Sequence, residues 1–239
     1  MIVFSIARIV HIVAGCVALA SFAVPLVAKK GGALHRRAGC VYVSATAVIA
    51  VTGVLNCAAW LTDAKPKNDA FALFLLYIAL IAASSTYHGV RALRTKGRTA
   101  KLGQLRDLVL PTLLLLGGVA LGAFGLARGA ALFVAFAALG VFLGAGELRF
   151  WLRAPQTRHE WFFAHMSGMG ASCITTLTAF VVINAGRLGL GTWSLAAWIT
   201  PGLVGGVGLA VWKRYYRRRM GGAKRAGYEG APIDATPAV

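Results

Sequence analysis

Long apolar stretches separated by short polar segments make up almost the whole chain. Each stretch has about 20 residues or more, the length that a helix needs to cross the hydrocarbon core of a bilayer. The pattern therefore predicts an all-α integral membrane protein, a seven-transmembrane helical bundle. The predicted spans are residues 9–28, 38–61, 70–90, 108–127, 130–150, 161–185 and 194–212.

The composition agrees with this pattern. Apolar residues make up 58% of the 239 residues and charged residues only 13%, with a mean hydropathy of +0.71. A soluble domain needs more polar surface than this, so the composition excludes that class. A net charge of +18 often indicates a nucleic-acid partner, but here the basic residues lie in the gaps between apolar stretches. We therefore expect no nucleic acid, and interpret the charge as contacts with a lipid bilayer and its anionic headgroups.

The basic residues also predict an orientation. Twenty of the 25 Lys and Arg residues lie in the first, third and fifth gaps and after residue 212. Short loops rich in Lys and Arg stay in the cytoplasm, so the N-terminus is predicted outside and the C-terminus inside a bacterial inner membrane. Residues 1–212 are then the transmembrane domain. Residues 213–239 are predicted to be a basic, disordered cytoplasmic tail.

Pairs of glycines four residues apart predict where helices pack. Such pairs remove side chains from one stripe of a helix and let two backbones approach closely. The same stripes also allow a homo-oligomer or other membrane subunits as partners. The pairs are Gly118 with Gly122, Gly140 with Gly144, and Gly202 with Gly206.

Polar and ionisable residues inside the spans are the candidates for a site, because they are costly in a bilayer. Arg8 and His11 lie on one face of the first span, and the third span ends in the polar run of residues 84–88. Glu147, near the end of the fifth span and close to Arg149, is predicted to form an interfacial ion pair with it in preference to acting as a proton carrier.

One stripe of the sixth span carries the largest set of candidates. Helical spacing places its members on one face, and we expect them to line a common site. They are His165, Met169, Ser172 and Thr176.

The positions of the histidines along the spans restrict the chemistry. His88 and His165 lie near the cytoplasmic ends of their spans and His35 lies in the first cytoplasmic loop, whereas His11 is on the order of 20 Å away from them. One haem iron needs two histidines at equal depth, which His88 and His165 provide. A non-haem metal at His35, His88 and His165 is the alternative, since imidazole suits zinc, copper or iron. Hydrogen-bonded structural histidines and proton-linked transport remain further interpretations.

Three motifs resemble a known family. The residues His11-x3-Gly15, the loop KKGGALHRRAG at 29–39 and the segment WFFAH at 161–165, which leads into TAFVV at 178–182, are similar to a bacterial family of predicted multi-pass membrane proteins. Members of that family share one domain, which is known as domain of unknown function 2306. The resemblance implies an inner-membrane protein with recurring histidines at positions 11, 35 and 165. His88 lies outside these motifs, which counts against a haem held by His88 and His165. If the shared site is His35 with His165, a small polar or metal site that faces the cytoplasm is the better interpretation.

No nucleotide-binding loop, hydrolase nucleophile motif or HExxH zinc motif occurs in the sequence, so nothing in it indicates an enzyme. The leading hypothesis is a membrane-embedded redox protein with a haem b or a transition metal at a histidine site near the cytoplasmic face. A proton-coupled or small-solute transporter is the alternative. An accessory subunit that packs against other membrane proteins is the third.

Overall fold

A computed structural model describes residues 2–62, 69–189 and 195–228, and these residues form seven α-helices. Each of the seven is long and apolar enough to cross a membrane, which confirms the predicted multi-pass helical architecture. The helices are α1 (Ile2–Val27), α2 (Ala33–Thr62), α3 (Asp69–Arg94), α4 (Leu105–Ala127), α5 (Ala131–Leu152), α6 (Glu160–Ile183) and α7 (Leu195–Tyr228).

Two helix boundaries differ from the prediction. Helix α2 begins at Ala33, so His35 lies in its first turn and not in a loop. Helix α7 continues beyond Trp212 to Tyr228, because the Lys and Arg residues that follow are good helix formers and no proline interrupts them. Residues 63–68 of the predicted polar turn and residues 229–239 of the predicted tail lie outside the described residues.

Helix α3 lies at the centre of the bundle and packs against α2, α4, α5 and α6. Helix α1 packs mainly on α2, and α7 packs on α6. Helices α1 and α7 keep long apolar side chains such as Val13 and Val207 exposed, as expected for surfaces that meet lipid chains. We call the end where α1, α3, α5 and α7 finish the basic end, because most of the Lys and Arg residues lie there.

The glycine pairs of α4 and α5 are packing faces, as predicted. A Cβ atom at Gly118 would lie 2.8 Å from a methyl of Val141, and one at Gly144 would lie 2.8 Å from the carbonyl oxygen of Pro111. The prediction is wrong for α7, since a Cβ at Gly202 or at Gly206 would meet nothing within 4 Å. Those two glycines lie on the exposed surface of α7.

The backbones of α3 and α6 approach each other closely where the two helices cross. A Cβ on Gly168 would lie 2.5 Å from the carbonyl oxygen of Ser85 and 2.7 Å from the amide nitrogen of Gly89. A Cβ on Gly89 would in turn lie 3.0 Å from the amide nitrogen of Met169. Two glycines therefore allow the main chains of α3 and α6 to touch.

Arginines fasten the helix ends at the basic end. Arg91, in the last turn of α3, donates from Nε to Oδ1 of Asp107 at 2.7 Å and from Nη2 to Oδ2 at 3.1 Å. Asp107 is fully buried in the first turn of α4, where the helix dipole favours a negative charge. Arg98, in the segment between these helices, donates to the carbonyls of Phe150 and Arg153, which lie at the end of α5.

The α3–α6 crossing gives a prediction for stability. Gly168→Ala should lower the free energy of unfolding by about 1–3 kcal/mol, because the new methyl would force the two backbones apart. Gly202→Ala is the matched control, since its methyl points into open space. Thermal unfolding in detergent measures both variants. Equal midpoints for the two variants would contradict the close crossing.

Candidate functional site

Two of the predicted histidines meet at the basic end. His35 lies in the first turn of α2 and His165 in the second turn of α6, and their ring centroids are 6.4 Å apart at an interplanar angle of 65°. Both side chains are half-buried. The structure thus brings together the pair that the sequence motifs favour.

Each of these rings is held by a backbone carbonyl of another helix. Nδ1 of His165 lies 2.9 Å from the carbonyl oxygen of Gly89 on α3. Nδ1 of His35 lies 3.2 Å from the carbonyl oxygen of Pro25 on α1. A carbonyl only accepts hydrogen bonds, so Nδ1 of each ring is the donor and, in a neutral ring, Nε2 has the free lone pair. This is the arrangement in which metal-ligating histidines are usually held.

A lysine adjoins the pair. Nζ of Lys30 donates to the carbonyls of Pro25 at 2.6 Å and of Leu26 at 2.8 Å, so it shares the Pro25 carbonyl with His35. The same Nζ lies 4.2 Å from the ring centroid of Trp212 on α7. Partial burial lowers the pKa of Lys30 from its ordinary value. Lys30 thereby satisfies the last carbonyls of α1 and places a cation beside the histidine site.

A chain of hydroxyl groups lies deeper in the bundle along the same helix faces. The Tyr42 hydroxyl is 2.6 Å from Oγ of Ser172 and 3.2 Å from Oγ1 of Thr176, and Oγ1 of Thr86 is 2.6 Å from the same Ser172 oxygen. Tyr42 follows His35 by seven residues and Ser172 follows His165 by seven, which is two helical turns in each case. The chain therefore links α2, α3 and α6 about 10 Å below the histidine pair.

Tyr42 is a member of this network that the sequence alone did not single out. A tyrosine in an apolar span is usually a packing residue. The role of its hydroxyl can be inferred only when its hydrogen-bond partner is known. The heptad spacing from His35 was the available signal. Ser172 and Thr176, which were predicted from the stripe of α6, lie in the network as its acceptors or donors.

His88 is located differently from the prediction. Its ring contacts Phe150 and Trp151 on α5, with centroids 4.9 and 5.3 Å away, whereas His165 faces α2 and α3. His88 and His165 therefore have different neighbours, although His88 precedes the Gly89 carbonyl that His165 binds. The reason is helical geometry, since successive residues of α3 point in directions about 100° apart.

His11 forms a separate site, as its position predicted. Its Nδ1 lies 2.9 Å from Oγ1 of Thr52, which is 17 residues and about 25 Å along α2 from His35. Arg8, on the same helix, is exposed.

The predicted ion pair between Glu147 and Arg149 is wrong. Glu147 is buried, and Oγ of Ser84 on α3 donates to its Oε2 at 2.6 Å, while Arg149 is exposed. Residues two apart on a helix do not face each other, which explains the difference.

Within the described residues, no group of three or more His, Cys, Asp and Glu side chains is arranged to hold a metal ion. The His35–His165 pair therefore has no third His, Cys, Asp or Glu side chain grouped with it among the described residues.

Comparison of the chain with protein-family models, with curated proteins and with solved structures found no match. The resemblance to the family with the domain of unknown function therefore stays a prediction.

The hydroxyl network predicts an energetic coupling between α2 and α6. In a double-mutant cycle, Tyr42→Phe and Ser172→Ala should couple by about 0.6 kcal/mol, and by at most about 1.7 kcal/mol, the range found for hydrogen bonds between membrane helices. The cycle of Tyr42→Phe with Thr178→Ala is the control, because the Thr178 hydroxyl donates to the Ile174 carbonyl of its own helix. Reversible unfolding in detergent or bicelles measures both. Equal coupling in the two cycles would contradict a direct Tyr42–Ser172 bond.

Proposed function

We propose that this protein is a bacterial inner-membrane redox protein that binds one b-type haem between His35 and His165, near the cytoplasmic face. The proposal depends on one observation, the meeting of two carbonyl-anchored imidazoles at the same end of the bundle. The distance between the two rings and the number of ligands that they offer indicate which cofactor would bind there.

The separation of the rings supports a single centre between them. A metal held by one nitrogen of each ring, at about 2.0 Å, would need ring centroids no more than about 6.3 Å apart. The distance between the centroids of His35 and His165 is 6.4 Å. A tetrahedral angle at the metal would bring the centroids closer, to about 5 Å.

The number of ligands favours haem over a bare ion. Zinc in proteins takes three or four protein ligands, and the described residues provide no third one near the pair. A porphyrin would supply four nitrogens to its iron, and His35 and His165 would be the two side chains that hold it. The cation of Lys30 beside His35 suits a cofactor with carboxylate side chains.

One haem near one face supports exchange of electrons at that face, and not transfer of electrons across the membrane. A second haem in the other half of the bundle needs its own pair of ligands. In that half, His11 bonds to Thr52 and no second histidine accompanies it in the sequence. When bound, the haem supplies one-electron chemistry, while the protein holds the two imidazoles and limits the access of water.

The orientation gives a test that does not depend on any cofactor. The basic end should face the cytoplasm, because Lys and Arg residues resist translocation. A reporter that works only in the cytoplasm should be active when fused after Val239. A reporter that works only outside should be active when inserted after Arg128, in the turn between α4 and α5. The reverse activities would refute the proposed orientation.

The cofactor gives the decisive test. Protein purified in mild detergent should show haem absorption, with about one iron per chain by metal analysis. His165→Ala and His35→Ala should each abolish both signals, since either substitution leaves the iron under-coordinated. His11→Ala and His159→Ala are the matched controls and should retain both signals.

His165→Asn separates loss of a ligand from loss of the fold. The asparagine keeps a hydrogen-bond donor for the Gly89 carbonyl but offers no imidazole nitrogen. It should therefore lose the haem while unfolding at a similar temperature to the protein without haem. Colourless and metal-free wild-type protein, even after supply of haem during expression, would refute the proposal. The two histidines would then be structural hydrogen-bond donors.

A further inference from the structure

A second group of buried polar side chains lies between α3 and α5, apart from the His35–His165 pair. Glu147 on α5 is 5% exposed, and its Oε2 accepts the Ser84 hydroxyl at 2.6 Å. Burial of a carboxyl group inside a membrane-spanning bundle is costly, which makes the residue a site candidate by its position alone.

Glu147 differs from the other buried or half-buried carboxyl groups of the described residues. Asp107 is paired with Arg91, and Glu160 is paired with Arg153. No described ion pair involves Glu147. A carboxyl group that has a hydroxyl donor and no cation suits reversible binding of a positive charge.

Two buried polar atoms without a hydrogen-bond partner in the described part of the chain lie on α3, one and four residues after Ser84. Within the described residues, Oγ of Ser85 and Nδ1 of His88 are buried and have no hydrogen-bond partner. Ser85 is 0% exposed and His88 is 6% exposed. His88 contacts Phe150 and Trp151, which follow Glu147 by three and four residues on α5. Glu147 and His88 therefore lie along the same contact between α3 and α5, and Ser85 precedes His88 by three residues on α3.

A second set of polar side chains lies on the last turns of α3, between this group and the surface of the basic end. The Tyr87 hydroxyl donates to Asp107 at 3.2 Å, and Arg91 donates both to Asp107 and to Gln104, at 3.1 Å in the second case. Gln104 is exposed. Ser84 lies ten residues, or about 15 Å, before the end of α3. Polar side chains therefore occur along the last 15 Å of this helix.

We propose that Glu147 is a proton-binding site and that His88 and Ser85 exchange its proton with water at the basic end. On uptake, a hydronium ion gives a proton to Nδ1 of His88 and becomes water. The ring then passes this proton, through the Ser85 hydroxyl or a water molecule, to the Glu147 carboxylate, so that the ring is neutral again and the carboxylate becomes a neutral acid. Release is the same transfer reversed. The net reaction moves one proton between bulk water and one carboxyl oxygen, and no other co-reactant is needed.

Other ionisable groups on the elements packed against α5 set the electrostatic surroundings. Arg149, on α5 itself, is exposed. The ionisable groups on the halves of α3 and α4 nearest the basic end and in the segment between them are Tyr87, His88, Arg91, Arg94, Lys96, Arg98, Lys101, Arg106 and Asp107.

Infrared difference spectroscopy on the full-length protein in lipid bilayers tests the proposal. A change of pH should produce a carbonyl band of a protonated carboxylic acid, which shifts when water is replaced by D₂O. Glu147→Gln should abolish this band. Glu160→Gln is the control and should leave it, because Glu160 is paired with Arg153.

Two further variants identify the partners. Ser84→Ala should move the band to higher frequency, since the acid loses a hydrogen bond, and this variant decides the question if Glu147→Gln fails to fold. His88→Phe should keep the band but slow its exchange with D₂O by about tenfold or more. A band that is absent from the wild type, or unchanged in both Glu147→Gln and Ser84→Ala, would overturn the proposal. Haem absorption of Glu147→Gln should equal that of the wild type, so the outcome is independent of the histidine site.

Discussion

The contact of α3 with α6 at Gly89 and Gly168 is the constraint on which the interior depends. With no side chain at either position, the main chains touch, and short polar groups on one helix reach the other. The ring of His165 can then bond to the Gly89 carbonyl, and the Thr86 hydroxyl can reach Ser172. A larger residue at the crossing would place these atoms beyond hydrogen-bond distance. The location of the histidine site is therefore set by two residues that have no chemistry of their own.

Hydrogen bonds take on a particular role in such a bundle. Lipid chains are as apolar as leucine, so burial of apolar side chains drives helix association less than it does in water. Small residues and matched polar groups must then specify which faces meet. The hydroxyls of Tyr42, Ser172 and Thr86 join three helices at one point, and the Arg91–Asp107 pair joins the ends of two. Helices α1 and α7, which make few such bonds, are the ones most exposed at the surface of the chain.

The sequence was sufficient to predict the seven helices, because apolar stretches of membrane length have one physical explanation. It also predicted that His11 is remote from His35 and His165, since distance along a helix follows from residue number. Rotation about the helix axis was not predictable to the same degree. His88 and Gly89 are adjacent in sequence but face different helices, and Glu147 faces Ser84 instead of Arg149. Those directions depend on which helices are neighbours, and the order of the spans does not state this.

Helix α1 packs mainly on α2, and two contacts with that helix lie far apart along it. The His11 ring bonds to Thr52 near one end, and the Pro25 carbonyl accepts from His35 near the other, 14 residues and about 21 Å away. A rod attached at one point can swivel about it, but a rod attached at two points keeps a fixed heading. The two hydrogen bonds therefore hold α1 and α2 in one relative direction. The orientation of the His35 ring is thus set partly by a histidine at the opposite end of the bundle.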